Sequence, residues 1–302
     1  MERKKSAEAP LVSVIIPCYN HAHFLSEAIE SVREQGYAPV EIVVVDDGST
    51  DNTREVAESY EGVRYVYQEN AGLSAARNTG VKHSTGEFLV FLDADDWLTP
   101  GAIEYNLSHM LRDKKLAYAS GAHKKVYVDE NHERVEKREV TRNHYWHLLQ
   151  GNYIGVPACV MFRRWVFDEF QYDVTPPNSC SDYDLYLRVA RTHPVCHHTE
   201  ITAAYRIHSA SMSANIPGML ETVLKVLRQQ RKHVKTSAEK RALKRGEAIW
   251  KEYYCKEMYK RLAEGKINPS QDLYSSLFRF NQKYFLKYLL RQKYSSIISL
   301  LK

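Results

Sequence analysis

The sequence lacks the features that mark secreted and membrane-spanning proteins. Its 302 residues include five cysteines, an odd number without any Cys-x-x-Cys pair, which argues against a disulfide framework and a cysteine-ligated zinc site. No apolar run approaches the ~20 residues of a membrane-spanning helix. Residues 1–6 are mostly charged and lack the apolar core of a signal peptide. We therefore expect free thiols and a cytoplasmic protein.

Three further signals are missing. A Gly-x-Gly-x-x-Gly turn does not follow the first predicted strand, where Pro17-Cys18-Tyr19-Asn20 occurs instead, and this argues against a dinucleotide-dependent oxidoreductase. The histidines other than His208, including the adjacent His197 and His198, show no metal-ligand spacing. No segment resembles a motif that reads nucleic acid, so we expect no nucleic-acid partner.

The net charge changes sign along the chain, and an excess of positive charge is found only at its end. Residues 219–302 contain 20 Lys and Arg against 7 Asp and Glu, a net charge of +13, whereas residues 1–218 carry −8. Such a basic, helical tail could bind an anionic membrane surface, which would place the protein peripherally at the inner membrane face. The alternative is an ordinary helical subdomain with a solvated basic face.

The first third of the chain alternates between strand-like and helix-like patterns. Strands are predicted at 11–16, 41–45, 63–67 and 87–92, and helices at about 25–36, 51–60 and 74–82. The strands are apolar on both faces, which predicts a parallel sheet covered by helices. In such sheets ligands bind at the carboxyl ends of the strands.

Carboxylates cluster at those strand ends. The fourth strand ends in Asp93, Asp95 and Asp96, and the second ends in the segment 46–51, which holds three more aspartates. A strand end with clustered aspartates can hold a divalent cation against a diphosphate. The alternative is a solvated acidic turn that precedes the helix after residues 99–101.

The remainder has weaker but distinct patterns. An alternating pattern at 116–140 predicts an exposed hairpin or an antiparallel addition to the sheet, with its turn at 129–131. Residues 181–190 read as a helix, and the chain beyond Pro217 reads as helical to its end. Thr236 and Glu239 form a capping-box pattern at the start of a helix that Gly265 could end, and Asn268 is predicted to cap the next helix, with proline following.

Taken in order, the strand-end motifs closely resemble those of the family 2 glycosyltransferases of the GT-A fold, over about residues 11–213. The resemblance implies an α/β fold in which helices flank a mainly parallel central sheet. It places a catalytic domain at residues 1–218, with a nucleotide-sugar-binding half at about 11–105 and an acceptor-binding half at 106–218. Residues 219–302 are then a basic α-helical extension.

The first two motifs correspond to the family's donor-binding loops. Pro17, Tyr19 and Asn20 match the loop that lines the base of a nucleotide sugar, although Pro17 and Tyr19 could instead have purely structural positions. Asp47 matches the second motif, where a carboxylate can accept a hydrogen bond from the imide N–H of uracil. Asp51 at the end of this motif has a plain alternative, since it could cap the following helix.

The resemblance also divides the acidic cluster into roles. Asp93 is expected to contact the ribose, and Asp95 to ligate a Mn²⁺ or Mg²⁺ ion that bridges the two phosphates. Asp96 stays unassigned between a supporting role and a cap. Arg77 is expected to reach the nucleotide or its diphosphate, and His208 to supply a further metal ligand or phosphate contact. For Arg77 the alternative is a surface arginine, and for His208 a structural histidine.

The catalytic base is expected at the start of the helix at 181–190. The family places a Glu-Asp pair there, and this chain has Ser181 and Asp182. Asp182 is therefore the expected base, while Ser181 departs from the pattern and puts the surroundings of the base in doubt. A helix-capping role is the alternative for Asp182, and both roles are compatible.

The resemblance as a whole implies an inverting, metal-dependent enzyme. It would move a sugar from a nucleotide-diphosphate donor, expected to be a UDP-sugar, to a hydroxyl of a glycan or lipid-linked acceptor, as in cell-surface polysaccharide synthesis. The alternative is a non-catalytic nucleotide-sugar-binding or scaffold protein, in which Ser181 would reflect a decayed acceptor side. Retention of Asp93, Asp95 and Asp182 argues against that alternative.

Overall fold

The chain divides into two compact units. The computed structural model describes residues 9–128, 130–176, 178–208 and 215–300, with side chains described as far as residue 291. The first unit contains the described residues of Met1–Tyr145, Asn152–Thr175 and Ser181–His208. The second contains those of Trp146–Gly151, Pro176–Cys180 and Ser209–Lys302.

One mixed sheet forms the centre of the first unit. Within the described residues its strands are β1 (Val12–Cys18), β2 (Val40–Asp46), β3 (Val63–Tyr67), β4 (Phe88–Phe91), β5 (Trp97–Leu98), β6 (Tyr118–Tyr127), β7 (His132–Glu136), β8 (Val160–Arg163) and β9 (Val195–Ile207). Their order across the sheet is β3-β2-β1-β4-β8-β6-β9-β5, and β7 pairs with β6.

The parallel arrangement predicted for the first four strands is confirmed. β1 lies between β2 and β4, both parallel to it, and β3 is parallel to β2. Beyond β4 the sheet is mixed, because β8 runs antiparallel to both β4 and β6, while β9 runs parallel to β6. Every residue of β1 is buried, as expected for a central strand covered on both faces.

Helices cover the sheet in the first unit and build the second. The described helices are α1 (Ala22–Arg33), α2 (Thr53–Glu58), α3 (Leu73–His83), α4 (Ala102–Arg112), α5 (His144–Gln150), α6 (Val166–Glu169), α7 (Ser181–Thr192), α8 (Ile216–Gln230), α9 (Ser237–Ala263), α10 (Gln271–Phe280) and α11 (Gln282–Leu300). Among the described residues no helix is long and apolar enough to cross a membrane.

The helix caps predicted for the C-terminal part are confirmed for α9 and wrong for α10. Thr236 and Glu239 form the reciprocal capping box at the start of α9, which ends at Ala263, two residues before Gly265 with its left-handed φ of 68°. The cap of α10 is Ser270 and not Asn268: the Ser270 hydroxyl accepts a hydrogen bond from the Leu273 N–H at 3.3 Å. Ser270 combines an extended backbone with a hydroxyl, which is what a cap requires.

The second half of the sheet was predicted only in part. The hairpin is confirmed, since β6 and β7 pair antiparallel from His123 opposite Glu136 to Tyr127 opposite His132. The long strand β9 was missed, because its buried residues do not alternate regularly with exposed ones. A shift in its register against β6 breaks the period of two that identifies a strand in a sequence.

Candidate active site

The loops that follow β1 and β2 are joined by side chains. The N–H of Asn20 donates to the Ser49 hydroxyl at 2.9 Å, and the Asn20 side-chain oxygen accepts from the Thr50 N–H at 2.8 Å. Asn20 has a left-handed φ of 56°, a conformation that asparagine tolerates better than most residues. Pro17 is buried within β1, whereas the Tyr19 side chain is 49% exposed. Tyr19 is thus free to contact a ligand, and it does not pack into the sheet.

Asp47 holds the segment between β3 and α3. Its carboxylate accepts hydrogen bonds from the Gln68 side chain at 2.6 Å and from the N–H groups of Ala71 and Gly72 at 2.9 and 2.8 Å. Gly48 approaches the same segment so closely that a Cβ there would lie 2.8 Å from the Asn70 nitrogen. The residue that sequence analysis assigned to base recognition therefore also shapes the loop around that position.

The contacts of Asp51 support its alternative role as a helix cap. Its carboxylate accepts from both the N–H and the hydroxyl of Thr53, the first residue of α2, at 3.1 and 2.5 Å. It also accepts from the N–H of Ala22, the first residue of α1, at 3.0 Å. One carboxylate thus serves the amino ends of two helices, whose unpaired N–H groups favour negative charge.

The buried Arg77 forms an ion pair with the partly exposed Asp93. A terminal nitrogen of Arg77 donates to Asp93 Oδ1 at 2.6 Å, and Arg77 is only 2% exposed. The guanidinium carbon lies 5.2 Å from the centre of the Tyr172 ring, a cation–π contact. The surface-arginine alternative for Arg77 is therefore wrong. In this structure the cation orients Asp93.

Asp95 and His208 lie side by side. Asp95 Oδ2 is 3.1 Å from His208 Nε2, although 113 residues separate the two in sequence. Both side chains are 15% exposed, so the pair is accessible from one side. His208 comes directly after β9, and that strand delivers it to the acidic cluster.

Asp96 points inward from the same turn. Its Oδ1 accepts from the Arg206 N–H at 2.9 Å, whereas Oδ2 is buried without a hydrogen-bond partner in the structure. Burial, followed by the charges of Asp95 and Asp93, raises the pKa of Asp96 well above its usual range. Three aspartates within four residues therefore create an excess of negative charge that a cation would relieve.

Arg206 supports this turn, and sequence analysis missed it. Its Nε donates to the carbonyl oxygen of Asp95 at 2.8 Å, and its guanidinium lies between the rings of Phe24 and Trp97, 4.8 and 4.7 Å from their centres. A further terminal nitrogen bonds Glu27. The available signal was its position two residues before His208, since alternate residues of a strand share a face.

Asp182 lies in the first turn of α7, partly exposed. Burial raises its pKa from 3.8 to about 6, against the opposing effects of Arg77 and of a hydrogen bond from the Tyr183 N–H. A carboxylate with such a pKa can accept a proton near neutral pH. The neighbouring Ser181 is buried, and its hydroxyl accepts a hydrogen bond from the Ser74 hydroxyl at 2.9 Å.

The sites expected from sequence thus fall into two connected groups. Arg77, Asp93 and Asp182 interact electrostatically with one another, and Asp95 pairs with His208. Pro17 lies within β1, and Tyr19, Asn20 and Asp47 lie on the loops that follow β1 and β2. Tyr172, which sequence analysis also missed, lies in a segment without helix or strand and had no periodic signal.

A family model described as Glycosyl transferase family 2 matches residues 13–170, just over half of the chain. The chain belongs to this family. The match supports the resemblance stated from the motifs, and the protein is a glycosyltransferase. It covers Asp47, Arg77, Asp93 and Asp95 but ends before Asp182 and His208.

The chain is also similar to individual curated proteins. An uncharacterized glycosyltransferase of Rickettsia typhi is 32% identical over 232 residues, which covers 72% of this chain and 70% of the relative. Chondroitin synthase of Escherichia coli is 28% identical over 212 residues, which covers 68% of this chain and 30% of that protein.

Solved structures show the same fold. S. aureus TarS 1-349 in complex with UDP-GlcNAc has a TM-score of 0.59 at 16% identity, covering 89% of this family 2 glycosyltransferase and 80% of the TarS chain. The mannosyltransferase PcManGT of Pyrobaculum calidifontis, in complex with GDP-Man and Mn²⁺, has a TM-score of 0.58 at 17% identity, covering 98% and 84%.

Proposed function

We propose that this glycosyltransferase is metal-dependent and inverting, and that it transfers a sugar from a UDP-sugar to a hydroxyl of a glycan or lipid-linked acceptor. The observation that carries the proposal is the pairing of Asp95 with His208 beside the Arg77–Asp93 ion pair and Asp182. A cation site, a donor-orienting carboxylate and a base are then adjacent.

The residues around Asp95 fit a divalent cation. Two ligands at right angles on an ion with bond lengths of about 2.1 Å are about 3.0 Å apart, and Asp95 Oδ2 and His208 Nε2 are 3.1 Å apart. The Oδ2 of Asp96 is buried without a hydrogen-bond partner in the structure, and a nearby cation would offset the burial and like charges that raise the pKa of Asp96. When bound, Mn²⁺ or Mg²⁺ would stabilise charge on the departing nucleoside diphosphate.

The donor would be oriented by protein groups on either side of that ion. Asp93 is held by Arg77 with one oxygen, which leaves its other oxygen for the ribose hydroxyls. The exposed Tyr19 ring could stack on the base, and Asp47 is the proposed partner of the uracil imide. Because the Asp47 carboxylate already binds Gln68 and two backbone N–H groups, the base would add a further donor to an organised site.

Asp182 is the proposed base. In an inverting transfer it would take the proton of the acceptor hydroxyl as that oxygen attacks the anomeric carbon from the face opposite the leaving group. Its raised pKa suits proton uptake near neutrality. The proximity of the buried Arg77 cation keeps Asp182 ionised enough to act as a base.

The second unit has the composition for a peripheral contact. Its helices α10 and α11 expose Phe278, Leu286 and Leu290 on a chain segment rich in lysine and arginine. Contact of this basic α-helical extension, residues 219–302, with an anionic membrane is part of the proposal, since lipid-linked acceptors reside there. Residues 1–218 would then be the catalytic domain.

A donor panel tests the proposal. Thermal stabilisation of the full chain would be measured with UDP-, GDP- and dTDP-sugars, with and without Mn²⁺, for the wild type and for Asp95→Asn. We expect the largest stabilisation from a UDP-sugar with Mn²⁺, and its loss in the variant. Exposed Asp168 provides the matched control, Asp168→Asn, which should behave as the wild type. Stabilisation by no nucleotide sugar, or undiminished metal dependence in Asp95→Asn, would contradict the proposal.

A further inference from the structure

His109 of α4 meets His198 and Glu200 of β9 far from the site described above. One possible ligand atom from each residue lies within 4.8 Å of the others, in a group the sequence spacing had not predicted. From His198, β9 runs ten residues to His208, which at strand rise is about 30 Å. The cluster is therefore separate from the donor site.

A β-bulge creates this arrangement. The register of β9 against β6 shifts between Ser120 and Ala122, so that four residues of β9 span a step that two residues of β6 cover. Gly121 faces the bulge, and a Cβ there would lie 2.9 Å from the Glu200 carbonyl oxygen. Bulges re-aim side chains, and this one directs His198 and Glu200 to a common point.

Hydrogen bonding fixes the tautomer of His198. Its Nε2 lies 3.0 Å from Asn106 Oδ1, while the Asn106 side-chain nitrogen donates to the Cys159 carbonyl oxygen at 3.4 Å. A carbonyl can only accept, so this contact orients the amide and requires His198 Nε2 to carry the hydrogen. Nδ1 then keeps its lone pair. Histidines that ligate metals show this pattern, in which the second ring N–H donates to an oxygen.

The lone pair of His198 Nδ1 faces a carboxylate. Glu200 Oε2 lies 3.0 Å away, and Nδ1 is buried without a hydrogen-bond partner in a residue that is 6% exposed. The rings of His109 and His198 are stacked with centres 4.7 Å apart. A cation placed between these atoms would bind the Nδ1 lone pair and the Glu200 carboxylate together.

We propose that His109, His198 and Glu200 form a second cation site, which takes Zn²⁺ or a similar transition-metal ion. Two imidazoles and a carboxylate are ligands that such ions prefer over Mg²⁺ or Ca²⁺. Glu200 is 47% exposed, so water can complete the coordination. Ligand atoms of a tetrahedral site are about 3.3 Å apart. The possible ligand atoms here lie within 4.8 Å of one another, and the partly exposed side chains of His109 and Glu200 can move to shorten these distances.

The ion would tie α4 to β9. The turn before α4 follows the acidic cluster, and β9 contains Arg206 near its end and is followed directly by His208, so both elements lead to the donor site. A cation at their far ends would stabilise the scaffold without contacting the donor. Its removal should lower thermal stability and leave donor affinity unchanged.

Zinc binding by the full chain tests this site. An Asp95→Asn/His208→Gln background removes the proposed donor-site cation, and Zn²⁺ is then titrated in competition with a chromophoric chelator. His109→Gln and Glu200→Gln are introduced into that background. The matched control is His193→Gln, because His193 Nε2 also lies near a glutamate, 3.6 Å from Glu169 Oε2, without a second histidine.

We expect one Zn²⁺ per chain in the background protein and in the His193→Gln control. His109→Gln and Glu200→Gln each remove a ligand, so each should weaken binding by at least the ~10- to 100-fold that loss of a partner supporting a ligand costs. Co²⁺ should show visible absorption bands of tetrahedral coordination only where both residues are intact. Absence of Zn²⁺ binding by the folded background protein, or equal binding by both folded variants, would overturn the proposal.

Discussion

The Ser74 hydroxyl donates a hydrogen bond to the Ser181 hydroxyl at 2.9 Å. Both side chains are buried, and the contact joins α3, which carries Arg77, to the first residue of α7, which carries Asp182. The position where related sequences are expected to carry an acid is thus occupied by a small neutral group that contributes to packing. This argues that Ser181 positions the base and does not mark a decayed site.

Ser74→Ala should therefore weaken the link between α3 and α7. Loss of the hydrogen bond leaves the Ser181 hydroxyl buried without this donor, at a cost of about 1 kcal/mol in the free energy of unfolding. We expect a few-fold decrease in kcat with little change in donor affinity. Chemical denaturation and steady-state kinetics measure both, with exposed Ser108→Ala as control. An unchanged kcat would show that this contact does not position Asp182.

Asp182→Asn should abolish transfer while donor binding persists. General bases contribute about 10²- to 10⁴-fold to rate, and the amide cannot accept the proton. Donor and Mn²⁺ affinity, measured by calorimetry, should remain close to wild type, since Asp93, Asp95 and His208 are unaltered. Normal turnover by the variant would remove Asp182 as the base, and it would leave the donor-site proposal standing.

The rate of transfer should rise with pH through about 6. The pKa of Asp182 is raised to about 6 by burial, and only the ionised carboxylate can act as a base. The pH dependence of kcat/KM in the free enzyme reports this pKa. A profile that is flat between pH 5 and 7.5, with the protein folded throughout, would contradict the assignment.

The same pKa has a consequence for stability. Because the pKa of Asp182 is about 6 when folded and near its ordinary 3.8 when unfolded, folding takes up a proton between these values. The charged carboxylate therefore lowers stability progressively as pH rises from about 4 to 6. Asp182→Asn should raise Tm at pH 7.5 and leave it nearly unchanged at pH 4. An equal shift at both pH values would point to a different cause.

Arg206→Gln should weaken the cation site without removing a ligand. The Arg206 guanidinium donates to the carbonyl oxygen of Asp95 and bonds Glu27, so its loss would let the turn move, whereas the Arg206 N–H that bonds Asp96 is retained. Supporting residues of metal sites typically contribute about 10- to 100-fold to affinity. We expect the Mn²⁺ concentration for half-maximal activity to rise accordingly, with excess Mn²⁺ restoring much of the rate. Arg54→Gln, at an exposed ion pair, is the control, and an unchanged Mn²⁺ requirement for Arg206→Gln would refute this role.

Sequence patterns predicted the donor half well, and each success has a local cause. β3 was predicted over residues 63–67, the range it has in the structure, because turn residues bound a short apolar run. The carboxylates after β2 and β4 were placed at one edge because parallel strands end there. The acceptor half was harder, since β8 and β9 pair with strands distant in sequence and β9 contains a bulge.

The sequence alone determined the family, the parallel core and the candidate residues, because strand period, turn chemistry and motif order are encoded over short stretches. Only the tertiary structure decided which atoms meet. Sheet order and strand register set the distances between residues that are far apart in sequence. Three contacts of this kind are Asp95 with His208, Arg77 with Asp93, and His109 with His198. Register depends on packing of the whole sheet, which no single segment of the sequence specifies.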